Sequence, residues 1–148
     1  MSSISSTAGT DTFRYSPFSL FAAGFIAVLV FHQGAWAILN PLGFAPPPFP
    51  ARATWPMGIP QVWSLAFWGG VWGIAFGAVE RRFPEGGTYW VYAFLFGAIL
   101  PTLVLWFVVF PLKGIPVAGG WNPASMFVTA VVHGIWGLGT AGLLRWRP

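Results

Sequence analysis

The sequence predicts an all-α polytopic membrane protein with four transmembrane helices. They are arranged as two parallel-repeat hairpins packed through Gly/Ala faces, with N- and C-termini cytoplasmic. Three observations predict this. The 148 residues are 56% hydrophobic, only 7% charged and have a mean hydropathy of +0.70, too few charges to cover the surface of a water-soluble domain. Four apolar runs are each about as long as a hydrocarbon core requires, roughly 20 residues at about 1.5 Å per residue. Finally, Gly70-Val71-Trp72-Gly73-Ile74-Ala75 returns as Gly134-Ile135-Trp136-Gly137-Leu138-Gly139, deep inside another apolar run.

In chain order, residues 1–16 are rich in Ser and Thr without periodicity and read as a polar N-terminal tail. Residues 17–148 form a single four-helix domain with spans at about Pro17–Leu39, Pro60–Val79, Thr88–Leu112 and Trp121–Leu144. Arg14 ahead of the first run, with Ala35-Trp36-Ala37 near its end, mimics a secretory signal. The run is too long for the apolar region of such a signal, so a retained span is expected. Spans two and four begin beside Pro60 and Pro123, a residue suited to a first helical turn, where its missing N–H is not needed. In span three Pro101 removes a backbone donor and predicts a kink.

Charge sets the expected orientation. With the N-terminus inside, Arg14, Arg81, Arg82, Arg145 and Arg147 lie in the cytoplasm against Arg52 and Lys113 outside. The net charge of +4 is read as this topology; without a basic cluster, no nucleic-acid partner is expected. The outer connection from Asn40 to Ile59 carries Pro41, Pro46, Pro47, Pro48, Pro50 and Pro56, which predicts a stiff lid. Trp55, Trp63, Trp90, Trp121 and Trp146 fall near the expected interfaces, where an indole buries its ring and still meets water.

Small residues mark the expected packing faces. Gly69, Gly73 and Gly77 recur every fourth position in span two, a glycine-zipper pattern with Ala66 and Gly70 beside it. Ala130, Gly134, Gly137 and Ala141 make the matching strip in span four, and the simplest arrangement packs these two strips together at the centre of the bundle. Span one offers Ala23, Ala27, Gly34 and Ala37, and span three Ala93 and Gly97. The turns Pro41-Leu42-Gly43 and Pro111-Leu112-Lys113-Gly114 after spans one and three support a duplicated hairpin. Both copies would start on the same side, related by an axis along the membrane normal.

The candidate site residues follow from the cost of ionisable groups at membrane depth. His32 in span one and His133 in span four are the only two inside the expected spans, at depths within about one turn of each other. Two such imidazoles suit a haem b iron or, singly, a chlorin magnesium, or they hydrogen-bond a quinone or lipid oxygen. Helical-wheel arithmetic sets His32 opposite the Ala23/Ala27/Gly34 strip and His133 beside Thr129, Trp136 and Thr140, so the two are expected to meet different neighbours. Gln33 is a candidate partner for His32; Thr129 and Thr140 are candidates too, although each hydroxyl can bond back to its own helix.

Several classes of chemistry lack their residues. There is no Cys, hence no disulfide or thiolate metal site, and no metal ligand set is expected. No nucleophile–base pair, carboxylate cluster or phosphate-binding loop occurs, so a non-enzyme is expected. Glu80 adjoins Arg81 and Arg82 and reads as a solvated ion pair at the cytoplasmic rim.

Phe31-His32-Gln33-Gly34, Leu65-Ala66-Phe67-Trp68-Gly69-Gly70 and Pro111-Leu112-Lys113-Gly114 resemble phrases in small uncharacterised inner-membrane proteins of Gram-negative bacteria. The resemblance implies a four-span protein of the bacterial inner (cytoplasmic) membrane and carries no function with it. The first functional expectation is a protein that acts by packing within the lipid bilayer, as an accessory subunit of a larger membrane complex or as a homo-oligomer. The second is a cofactor or small-molecule binder using His32 and His133, and the third a small channel or transporter lined by Gln33, Thr129, His133 and Thr140.

Overall fold

The computed structural model describes residues 14–146; most of the polar tail, and Arg147 of the charge count, lie outside the described residues. Among the described residues four helices are long and apolar enough to cross a membrane: span one Pro17–Leu42, span two Gln61–Glu80, span three Gly87–Leu112 and span four Pro123–Arg145. Their ends follow from local chemistry. Span one starts where the Ser16 side chain accepts the Ser19 N–H at 3.1 Å, with Pro17 in the first turn. It stops at Gly43, whose φ of 78° ends a helix without steric penalty. Span four starts two residues later than the apolar run suggests, because the Asn122 side chain caps the Ser125 N–H at 3.0 Å.

The outer connection folds back on itself. β1 (Ala53–Thr54) pairs antiparallel with β2 (Ile59–Pro60), Ala53 opposite Pro60 and Thr54 opposite Ile59, and the Thr54 hydroxyl donates to the Ile59 carbonyl at 2.8 Å.

Glycine decides which helices touch. A Cβ on Gly24 of span one would meet the Gly69 carbonyl oxygen and the Gly73 Cα of span two, while Gly77 lies under the Leu20 side chain. A Cβ on Gly97 of span three would meet the His133 carbonyl oxygen, and one on Gly137 of span four the Ala93 carbonyl oxygen. Backbones therefore approach to van der Waals contact within each hairpin. This corrects the expected central meeting of the span-two and span-four strips. Each strip is consumed by its own hairpin mate, which a direct connection brings alongside first.

The two hairpins use the same three contacts. The ring of Phe21 covers Gly70 as the ring of Phe94 covers Gly134; Gly73 abuts the Leu20 carbonyl as Gly137 abuts that of Ala93; Gly24 meets the Gly69 carbonyl as Gly97 meets that of His133. In these pairs span one matches span three at an offset of 73, from Leu20 to Ala93, and span two matches span four at 64.

Spans one and four form the seam between hairpins. The Trp136 indole donates to the Gly24 carbonyl at 2.9 Å, and the Phe31 ring lies on Gly139. Spans two and three meet through aromatic edges, Phe76 to Phe96 at 5.2 Å and Trp72 to Phe96 at 6.2 Å. Leu20, Ala27, Ala66, Phe76, Ala93 and Ala141 are fully buried in the resulting core.

Candidate functional site

An ordinary α-helix through span one would turn His32 away from span four. Between Val28 and His32, however, the helix widens into a π turn. One residue more per turn rotates everything beyond it by about 100° relative to an uninterrupted α-helix. His32 consequently faces inward, 6% exposed, and its ring centroid lies 5.7 Å from that of His133, the planes inclined by 30°. This corrects the wheel-based expectation that the two histidines meet different neighbours. Trp36, one turn on, closes the other side of His32 at 4.8 Å between centroids.

Each imidazole is held at its Nδ1. Gln33, fully buried, accepts the Phe49 N–H of the outer loop on Oε1 at 2.7 Å. That bond fixes the amide, so Gln33 turns its NH₂ toward His32 Nδ1 at 3.4 Å. An NH₂ group only donates; His32 Nδ1 is therefore the acceptor and the neutral ring carries its proton on Nε2.

His133 has the opposite arrangement, and Pro101 is the reason. Proline at 101 deprives the Gly97 carbonyl of its usual i+4 donor, and the Thr102 hydroxyl takes that place at 3.4 Å. Thr102 Oγ1 also lies 2.7 Å from His133 Nδ1, and it accepts from Nδ1–H where its own proton stays on the Gly97 carbonyl. In that arrangement His133 keeps a lone pair on Nε2. With that tautomer the two rings offer one N–H and one acceptor nitrogen, and neither Nε2 is hydrogen-bonded among the described residues.

A haem held by both imidazoles does not fit this arrangement. Axial ligation at Nε2 of each ring needs two lone pairs there, and the Gln33 amide places a proton on His32 Nε2. A chlorin magnesium needs one lone pair and would use His133 alone. A single hydroxyl oxygen matches both rings, accepting from His32 Nε2–H and donating to His133 Nε2. With each bond about 2.8 Å long, it needs ring nitrogens about 4.6 Å apart, within what a 5.7 Å centroid separation permits. Compared with family models, curated proteins and solved structures, the chain matches none.

Of the other sequence candidates, the structure brings Gln33 to the histidines but not the two threonines. Thr129 donates to the Ser125 carbonyl at 2.8 Å and Thr140 to that of Trp136 at 3.0 Å, one turn back on their own helix in both cases. A pathway lined by Gln33, Thr129, His133 and Thr140 thus has two hydroxyls already committed.

Three contributors escaped the sequence reading. Thr102 had a usable signal, because a hydroxyl directly after an intramembrane proline is placed to serve the carbonyl that proline orphans. Phe49 acts through its backbone and had none. Glu80 is the third, and the expectation of a solvated ion pair is corrected. The residue is 2% exposed, and its Oε2 accepts from the Tyr89 hydroxyl at 3.2 Å.

Proposed function

We propose that this chain is a non-enzymatic multi-pass protein of the bacterial inner membrane that binds a lipophilic molecule bearing a hydroxyl or quinone-type oxygen between His32 and His133. The carrying observation is the pair of facing imidazoles, His32 held at Nδ1 by Gln33 and His133 by Thr102, to which the reading assigns opposite tautomers. Quinols and quinones fit best, since a quinol oxygen uses both rings and a quinone oxygen uses the His32 donor. The reading includes both termini in the cytoplasm, supported by Arg14, Arg81, Arg82 and Arg145 at one end. It also includes descent from a duplicated hairpin, supported by the three matched contacts. The ligand site would lie where the copies diverge, with His133 standing where the first hairpin has Gly69.

The test is ¹⁵N NMR of the two imidazoles in lipid nanodiscs, titrated with a short-chain benzoquinol and with its dimethyl ether. Movement of both Nε2 resonances with the quinol but not the ether is expected. Equal response to both compounds, or none to either, overturns the reading.

The packing reading keeps one specific support. Trp68, Val71, Leu100 and Leu103 stay exposed on spans two and three, which touch each other mainly through Phe96. A partner helix or second copy would cover that flank, and native mass measurement after gentle extraction separates the readings: a ligand-bound monomer favours binding, a ligand-free oligomer or complex favours packing, and a ligand-free monomer contradicts both.

A further inference from the structure

Spans one and two are flush at one end only. Gly77 lies under Leu20, Gly73 against Gly24 and Gly69 against Val28, a single antiparallel register that sets Glu80 level with Pro17 and Gln61 level with Trp36. Span one, with 26 residues, is about 39 Å long, and span two, with 20, about 30 Å. The difference of about 9 Å therefore falls at the outer end, where span one runs on from Trp36 to Leu42 past the start of span two.

A hydrocarbon core is about 30 Å thick, and a bilayer with its headgroups about 40–45 Å. Span two matches the first length and span one the second, so Gln61 marks where the core gives way to the outer headgroup layer. The outer connection is rooted at that level and not above it. The Gln61 N–H donates to the Arg52 carbonyl at 2.9 Å, the Val62 N–H to the Pro50 carbonyl at 3.0 Å, and the Phe49 N–H to Gln33, one turn deeper. Two residue pairs, Ala53 with Pro60 and Thr54 with Ile59, lengthen the hairpin by only about 7 Å, comparable with the layer itself.

Its surface suits that place. Trp55 is 94% exposed and Met57 76%, an indole and a thioether presented side by side at the tip. Pro46, Pro47, Pro48, Pro50, Pro56 and Pro60 have no N–H that would need water, and the Thr54 carbonyl and hydroxyl are taken by the Gly58 N–H and the Ile59 carbonyl. The outer connections carry Arg52 and Lys113 and no acid, a charge that complements lipid phosphates.

We infer that the hairpin from Arg52 to Gln61 is a lipid-binding element whose partner is the phospholipid leaflet: Trp55 and Met57 enter the boundary between headgroups and acyl chains, where an indole buries its ring and keeps its N–H wet. The inference holds whatever occupies the histidine site.

The chain has no cysteine, so single spin labels report one position each. Trp55→Cys and Met57→Cys are labelled in phospholipid nanodiscs and compared with Ile38→Cys, exposed on span one, and Glu85→Cys, exposed in the turn at the other end. Oxygen, which concentrates in lipid, should relax the labels at 55 and 57 severalfold more than a water-soluble nickel chelate does, as at 38 and opposite to 85. The unsubstituted chain gives a second readout free of any folding defect. It has three methionines, and the Met57 methyl, identified by its loss in Met57→Leu, should show NMR cross-relaxation to lipid protons. Nickel-dominated relaxation at 55 or 57, or a Met57 methyl that cross-relaxes with water alone, would overturn the inference.

Discussion

The indole nitrogen of Trp136 on span four donates to the carbonyl oxygen of Gly24 on span one at 2.9 Å. Gly24 is also the residue whose missing side chain lets span two approach. One backbone position thus joins its own hairpin through a small-residue contact and the other hairpin through a hydrogen bond, with Trp136 only 3% exposed.

Replacing Trp136 by Phe keeps most of the apolar volume and removes the donor. The Gly24 carbonyl still accepts the Val28 N–H, so nothing buried is left unpaired on span one. A loss of about 1 kcal/mol is expected, the scale of an interhelical hydrogen bond in a bilayer. Reversible unfolding in mixed micelles measures it; no change in midpoint would show that packing alone holds the seam.

The glycines separate into those that permit contact and those that do not. Gly97→Ala drives a Cβ into the His133 carbonyl oxygen, which only a backbone shift can relieve, and about 1–3 kcal/mol of destabilisation is expected. Gly142→Ala, on the same helix as His133, meets nothing within 4 Å and should be neutral or stabilising by about 0.5–1 kcal/mol, the helix-propensity difference. Equal effects in an unfolding assay would mean that close approach does not govern the hairpins.

How much of this was legible in the chain depends on the length scale of the signal. Hydropathy sums over many residues, so the four spans and their approximate ends could be read directly. The facing of His32 could not, because it turns on a π turn of five residues, Val28–His32, within an unbroken apolar run. Pairing failed for a related reason. The Gly69/Gly73/Gly77 strip announces that some helix approaches, but a stripe of glycine does not encode which one, and Gly24 on span one lies outside the Ala23/Ala27/Gly34/Ala37 set that the sequence singles out. Glu80 misled because Arg81 and Arg82 adjoin it in sequence, whereas Tyr89, which donates to its carboxyl, arrives from span three with Arg145 of span four on its ring face.

Gln33 carries the outer loop as well as His32. Gln33→Leu deprives the Phe49 N–H of its acceptor, and Phe49 sits at φ 52°, a conformation a non-glycine residue holds only when its surroundings fix it. The substituted loop should open, seen as faster proteolysis between Asn40 and Ile59 with the spans intact. Unchanged cleavage would show that the β1–β2 ladder alone holds the loop.

Thr102→Val tests the tautomer argument at its source. The substitution is close in shape, removes the acceptor for His133 Nδ1–H, and leaves the Gly97 carbonyl without the donor that replaced the one lost at Pro101. In the wild type, imidazole ¹⁵N NMR should find His133 protonated at Nδ1 and His32 at Nε2. In Thr102→Val the His133 proton has no fixed partner at Nδ1, so its tautomers should mix, while His32 stays as it was because Gln33 and Phe49 are untouched. Stability should fall by about 1–3 kcal/mol, the scale of a buried carbonyl left unsatisfied. Two findings would count against the scheme: His133 already protonated at Nε2 in the wild type, or both rings changing tautomer together, which would make the pair one coupled unit and not two separately held imidazoles.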